Sequence, residues 1–162
     1  MSSPPDVAVS LGDPRGIGPE VVVKALASSA RLARRCVIVG DPRVVARASR
    51  RFTGGRRFRV APADGPAGAP EAGWLAAAAR MALDGRAGAL ATAPVTKAGI
   101  ARVVKGFRGQ TEFVAKLAGV REPVMLMAGP TLRAVCVTRH LPLRSVPGAL
   151  NAGLIARATV TL

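Results

Sequence analysis

An α/β sandwich with a partly parallel sheet is the fold class the sequence predicts, on three observations. Short apolar runs alternate with segments of helical character, and that rhythm lays helices on the faces of a parallel sheet. The first run, Val7 to Leu11, passes through a glycine-rich turn into a helix. No unbroken apolar run reaches the ~18 residues of a membrane-spanning helix, while 49% of the 162 residues are hydrophobic, enough for a buried core. The length fits one domain or one and a fraction, at roughly 100–200 residues each.

Val7-Ala8-Val9-Ser10-Leu11 reads as a buried strand ended by Gly12-Asp13-Pro14. Pro19 then opens a helix over the apolar-periodic stretch Val21 to Ala27, because a proline at the first helical position sacrifices an N–H that would be unpaired anyway. Cys36 to Gly40 is a second strand. Asp41-Pro42 supplies an N-cap and first-position proline for a helix near Arg43 to Arg51. Arg57 to Ala61 predicts a third strand, and residues 62–73, rich in proline and glycine, predict a loop. Trp74 to Leu83 reads as an alanine-rich helix stopped by Asp84-Gly85. Ala87 to Thr92 is the next strand, and Pro94-Val95-Thr96-Lys97 opens a short helix. Thr111 to Leu117 is helical. Val124 to Ala128 and Leu132 to Thr138 flank Gly129-Pro130 as a hairpin. A final helix runs from near Val146 to the terminus. A chain ending on an apolar helix, with no glycine or proline stop, reads as cut off.

The net charge is +15, and all but four of the 24 basic residues are arginine. A basic surface raises encounter rates with phosphates, small or polymeric. Against specific nucleic-acid recognition, the arginines are scattered and stacking platforms are scarce, with no tyrosine and one tryptophan. The two cysteines, Cys36 and Cys136, sit in apolar runs without a CxxC, which fits buried thiols in a reducing cytoplasm. The first residues, Met1 to Asp6, carry neither a basic region nor an apolar stretch of a secretory signal.

Four stretches carry candidate chemistry. Gly12-Asp13-Pro14-Arg15-Gly16-Ile17-Gly18-Pro19-Glu20 joins a strand to a helix; its glycines allow close backbone approach, and the helix start offers N–H groups to an anion. It is neither GxGxxG nor a P-loop, and a plain tight turn is the alternative. Thr92, Thr96 and Lys97 follow a strand, where open α/β sheets bind ligands; a capped helix with a solvated lysine is the alternative. Gln110 and Thr111 open a helix and serve either as an ordinary cap or as a phosphate contact. His140 is the only histidine. A single imidazole cannot complete a zinc site, and an HExxH metalloprotease and a GxSxG hydrolase are both excluded.

Taken together, the segments GDPRGIGPE at 12–20, TAPVTKAGI at 92–100, GQTEF at 109–113 and VTRHLPLRSVPGAL at 137–150 resemble the 4-phosphohydroxy-L-threonine dehydrogenase family of pyridoxal phosphate biosynthesis, in that order. The resemblance implies an isocitrate/isopropylmalate dehydrogenase-like three-layer fold, here truncated, in a cytoplasmic homodimer. It implies oxidation of a phosphorylated hydroxy-amino acid or hydroxy-acid by NAD or NADP, followed by decarboxylation, with a divalent metal (Zn, Mg or Co) as Lewis acid. Residues 1–106 would belong to the first α/β domain and 107–162 would begin the second, with the C-terminal half of the family missing. His140 matches the first of three metal-ligand histidines, and Thr111 matches a substrate-contacting threonine. Gln110 stands where the family usually has a substrate-contacting histidine; glutamine keeps a donor and an acceptor but carries no proton charge. No catalytic or cofactor-binding residue carries over. Little activity is therefore expected of the chain by itself. A non-catalytic subunit pairing with a separate C-terminal half is the second reading, and an electrostatic nucleic-acid binder is the third.

Overall fold

The computed structural model describes residues 5–121 and 123–160. By contacts the chain divides into two compact units, Met1–Val120 and Arg121–Leu162.

The first unit is built on a four-stranded parallel sheet in the order β3-β2-β1-β4. The strands are β1 (Val7–Ser10), β2 (Cys36–Gly40), β3 (Val60–Pro62) and β4 (Ala89–Thr92). In register, Val7 faces Cys36 on one side and Ala89 on the other. β2 is buried throughout because both of its faces are covered. Ile38 packs with Val22, Val23 and Leu26 of α1 (Gly18–Ala27) and Val44, Val45 and Ala48 of α3 (Pro42–Thr53). Its neighbours Val37 and Val39 point the other way, onto Ala78 of α4 (Pro70–Leu83). That alternation is the period-two geometry of a strand, and it yields a helix–sheet–helix sandwich. Helices α5 (Lys97–Ala101) and α6 (Gln110–Leu117) close the α4 side, where Leu75, Ile100 and Phe107 form a further apolar cluster. The expected parallel α/β sandwich is therefore present.

Local rules account for most boundaries. Asp41 Oδ1 accepts a 2.7 Å bond from Arg43 N at the start of α3, and Gly54 ends that helix in the left-handed conformation. Three expectations are corrected. Helix α4 begins at Pro70, inside the stretch read as loop. Pro70 is tolerated in the first turn, and Gly73 lets the helix lie directly on Asp64, where a Cβ would overlap the backbone. The third strand begins at Val60 rather than Arg57. Helix α2 (Ala30–Arg35), not foreseen, is capped by Ser29, whose hydroxyl accepts from Leu32 N.

The second unit holds an antiparallel pair, β5 (Met125–Ala128) and β6 (Arg133–Cys136), with Met125 opposite Cys136, as the hairpin reading expects. The expected single C-terminal helix is divided. A 3-10 turn at Leu143–Ser145 runs into α7 (Val146–Ala149), and α8 (Ala152–Val160) follows. The break falls at Leu150-Asn151, because Asn151 Oδ1 accepts from Leu154 N and starts α8 as its cap. No described helix is long and apolar enough to cross a membrane.

Candidate functional site

The order β3-β2-β1-β4 makes the chain reverse direction across the sheet. It steps outward from β1 to β3, then returns over α4 to place β4 on the far side of β1. Open α/β sheets bind ligands at such a reversal, outside the carboxyl ends of the strands. The loops that leave β1 and β4, residues 11–17 and 93–96, meet at this point.

Backbone bonds zip the two loops together. Ala93 N donates to Ser10 O at 3.1 Å, and Asp13 N donates to Pro94 O at 3.0 Å. Gly12 has φ +76°, and a Cβ there would lie 2.5 Å from Pro94 O. Glycine is thus required twice over, by conformation and by space. A Cβ at Gly18 would stand 2.7 Å from Leu11 O, so the start of α1 is pressed against the strand end. These glycines serve loop-to-loop packing.

Asp13 is buried at the centre. Its Oδ1 accepts from Arg15 N at 2.9 Å and from Arg15 Nε at 3.3 Å. Burial pushes its carboxyl upward, but the bonds from Arg15 and the Thr96 hydroxyl prevail and hold it below the usual aspartate range. The Arg15 guanidinium also reaches Glu71 of α4, with Nη2 3.6 Å from Oε1. Glu71 is fully buried, and burial, reinforced by the nearby Asp13 charge, raises its pKa against the pull of Arg15.

The start of α6 adjoins the same loops. Gln110 Nε2 donates to Ala93 O at 3.0 Å, so half of its amide is committed to the β4 loop. Thr111 is exposed. Gly109, buried at the N-cap, makes no side-chain cap, and a Cβ there would lie 3.7 Å from Lys97 Nζ and 2.7 Å from Glu112 Oε2. Lys97 thus places its ammonium beside the uncapped end of an eight-residue helix. Uncapped N–H groups, a hydroxyl and an ammonium are donors suited to an anion, and the Glu112 carboxylate at the same helix start opposes one.

His140 belongs to the second unit, is exposed, and has φ +55°. It is the only non-glycine among the described residues in the left-handed region. Histidine is among the residues that tolerate that region best, yet each such position carries strain, and strained positions concentrate at functional sites. Among the described residues no group of three or more histidine, cysteine, aspartate or glutamate side chains could hold a metal. The described residues therefore do not by themselves fit a divalent-metal site.

Sequence reasoning singled out Gln110, Thr111 and His140 and left the catalytic set open. It missed Glu71. The available signal was one acid in the first turn of an otherwise apolar, alanine-rich helix.

A family model described as "Pyridoxal phosphate biosynthetic protein PdxA" matches residues 30–162. The 4-hydroxythreonine-4-phosphate dehydrogenase of Erythrobacter litoralis is 38% identical over 179 residues, covering 92% of this chain and 53% of that protein. The enzyme of the same name from Desulfosudis oleivorans is 33% identical over 186 residues, covering 96% of this chain and 55% of its own length. Among solved structures, a 4-hydroxythreonine-4-phosphate dehydrogenase from Burkholderia phymatum superposes with a TM-score of 0.83 at 28% identity, over 96% of this chain and 56% of that one. The chain spans about half the length of the curated relatives it matches. With two loops joined at the sheet's reversal point, a donor-rich helix start beside them and these likenesses, the chain belongs to the PdxA family of pyridoxal phosphate biosynthetic proteins.

Proposed function

We propose that this chain contributes the phosphate-holding part of a 4-hydroxythreonine-4-phosphate dehydrogenase, an oxidoreductase of pyridoxal phosphate biosynthesis working in the cytoplasm as a homodimer. The observation that carries this reading is the approach of Lys97 to Gly109 at the start of α6, with Thr111 exposed in the first turn of that helix and Gln110 bound to the neighbouring loop. There the phosphate of a phosphorylated hydroxy-amino acid or hydroxy-acid would accept from the helix N–H groups and the Thr111 hydroxyl, with Lys97 supplying charge. Gln110, anchored to Ala93, fixes the approach of α6 to the β4 loop, and its free carbonyl oxygen can accept from a ligand hydroxyl or ammonium. Holding the phosphate orients the remote alcohol for oxidation, because binding energy from a non-reacting group lowers the entropic barrier at the reacting one.

The oxidant in this reading is NAD or NADP. Gly12 and Gly18 of the β1–α1 turn are consumed in packing against Pro94 and Leu11, and no hydride step is assigned to a residue of this chain. His140 would give one ligand to a divalent ion (Zn, Mg or Co), and its partners would come from outside the described residues, so no step is routed through the metal. The fold by descent is isocitrate/isopropylmalate dehydrogenase-like, with the family's second domain starting at 107.

The test is calorimetric titration of the 162-residue chain with 4-phosphohydroxy-L-threonine. Binding weakened about tenfold or more by Thr111→Val and by Lys97→Met supports the reading, each substitution removing one charge-assisted or hydroxyl contact of about 1.5–3 kcal/mol. Binding unaffected by both defeats it.

A further inference from the structure

Glu71 is the only charged side chain among the described residues with no exposure at all, and neither of its carboxylate oxygens has a hydrogen-bond partner. A buried, unsatisfied carboxylate costs stability. The cation it faces, Arg15, has a side chain 61% exposed and is already bonded to Asp13. The same guanidinium lies 3.6 Å from the place a Cβ of Gly99 would take, so it sits among the β1–α1 turn, α4 and α5. Asp13 is tied to the loop that leads into α5 by its N–H, which donates to Pro94 O at 3.0 Å. A chain of contacts therefore runs from Glu71 through Arg15 and Asp13 to Pro94, three residues before Lys97.

We propose that Glu71 is a positioning residue: through Arg15 and Asp13 it fixes the β4–α5 loop, so that Lys97 is held beside the start of α6. The proposal rests on the phosphate reading for its binding readout only. Its local readout, the order of residues 93–97, stands independently.

The charged groups that face Glu71 are Asp13 and Arg15 of the β1–α1 turn; α5 presents Gly99 there, and the other charged residue of α4 besides Glu71, Arg80, lies in its last turn. Ionised, Glu71 attracts Arg15; protonated, it releases it. The two consequences of its burial oppose each other. Because its folded-state pKa is raised, Glu71 favours folding while it is protonated, and that contribution is lost as pH rises through the raised value. The ionised form that orders the loop is thus the form that weakens the fold, as expected where a site is held at the expense of stability.

The experiment compares wild type, Glu71→Gln, Arg15→Lys and Arg15→Met as full chains over a pH series from 5 to 9. Amide exchange of residues 93–97, the thermal midpoint and the affinity for inorganic phosphate are measured. At pH 8, Glu71→Gln is expected to raise the midpoint by roughly 2–4 °C while exchange at 93–97 quickens about tenfold and phosphate binding weakens. Relative to the intrinsic exchange rate at each pH, wild-type protection at 93–97 should fall as pH drops through the raised value of Glu71, and Glu71→Gln should show no such fall. Arg15→Lys should retain part of the protection that Arg15→Met loses. Unchanged exchange at 93–97 in Glu71→Gln overturns the proposal, whatever the midpoint does. So does a lowered midpoint at pH 8, which marks a purely structural role. If wild type binds no phosphate, the phosphate reading fails, and the exchange result still decides the role of Glu71.

Discussion

Gln110 Nε2 donates to the carbonyl oxygen of Ala93 at 3.0 Å, joining the start of α6 to the loop that leaves β4. The bond spends one of the two amide N–H donors on the protein itself and leaves the side-chain carbonyl for a ligand. Gln110→His should change ligand binding in a pH-dependent way. An imidazolium adds positive charge near the proposed phosphate, so affinity for a phosphorylated ligand should rise several-fold at pH 6 and less at pH 8. Parallel titrations at the two pH values check this; a pH-independent affinity would count against placing the anion here.

Gly12 is held both by its φ of +76° and by the nearness of Pro94 O. Gly12→Ala should therefore lose about 2–4 kcal/mol, from left-handed strain together with a steric shift of the β4 loop. Urea unfolding measures it. A loss within the error of the extrapolation would mean the two loops are not in contact as described.

Asp13 should make the fold acid-sensitive. Its carboxyl is held below its ordinary value, so the stability it contributes is present above the unfolded-state pKa and is lost as pH falls through the lower folded-state value. Asp13→Asn should cost about 1–3 kcal/mol near neutral pH and flatten the stability profile on the acid side. Thermal unfolding between pH 2 and 7 tests both parts.

Cys36 and Cys136 should differ in reactivity. Cys36 is buried at the start of β2, and burial pushes its thiol pKa up, whereas Cys136 is only half-buried. A thiol reagent added to the native chain should label Cys136 well before Cys36, with Cys36 reacting on the timescale of unfolding. Mass spectrometry of a time course distinguishes them.

His140 adopts φ +55°, where a Cβ carries a penalty of roughly 1–2 kcal/mol. His140→Gly should relieve that strain, and His140→Ala should not. Amide exchange within residues 123–160 provides the comparison. Equal protection in the two variants would show that the conformation is not strained.

Much of the first unit was legible along the chain. The apolar runs at 7–11 and 36–40 declare strands because β-branched residues cluster between turn signals, and Asp41-Pro42 declares a helix start through its capping chemistry. The extent of α4 was not legible. Pro70 and Gly73 are loop residues by local rule, and only the packing of Gly73 on Asp64 makes them helical. The last helix was misjudged for a similar reason, since Asn151 looks like any polar residue until its side chain caps Leu154.

By itself the sequence determined the family and the parallel α/β core and singled out Gln110, Thr111 and His140 as candidates, because each depends on neighbours close in the chain: motif order, apolar period, turn residues. Only the tertiary structure decided that Asp13, Arg15 and Glu71 form one group. Glu71 lies far along the chain from the other two, and the crossover of α4 brings it beneath the β1 turn. No local pattern encodes that meeting; it follows from strand order, and strand order is fixed by how the apolar faces of the whole sheet are covered.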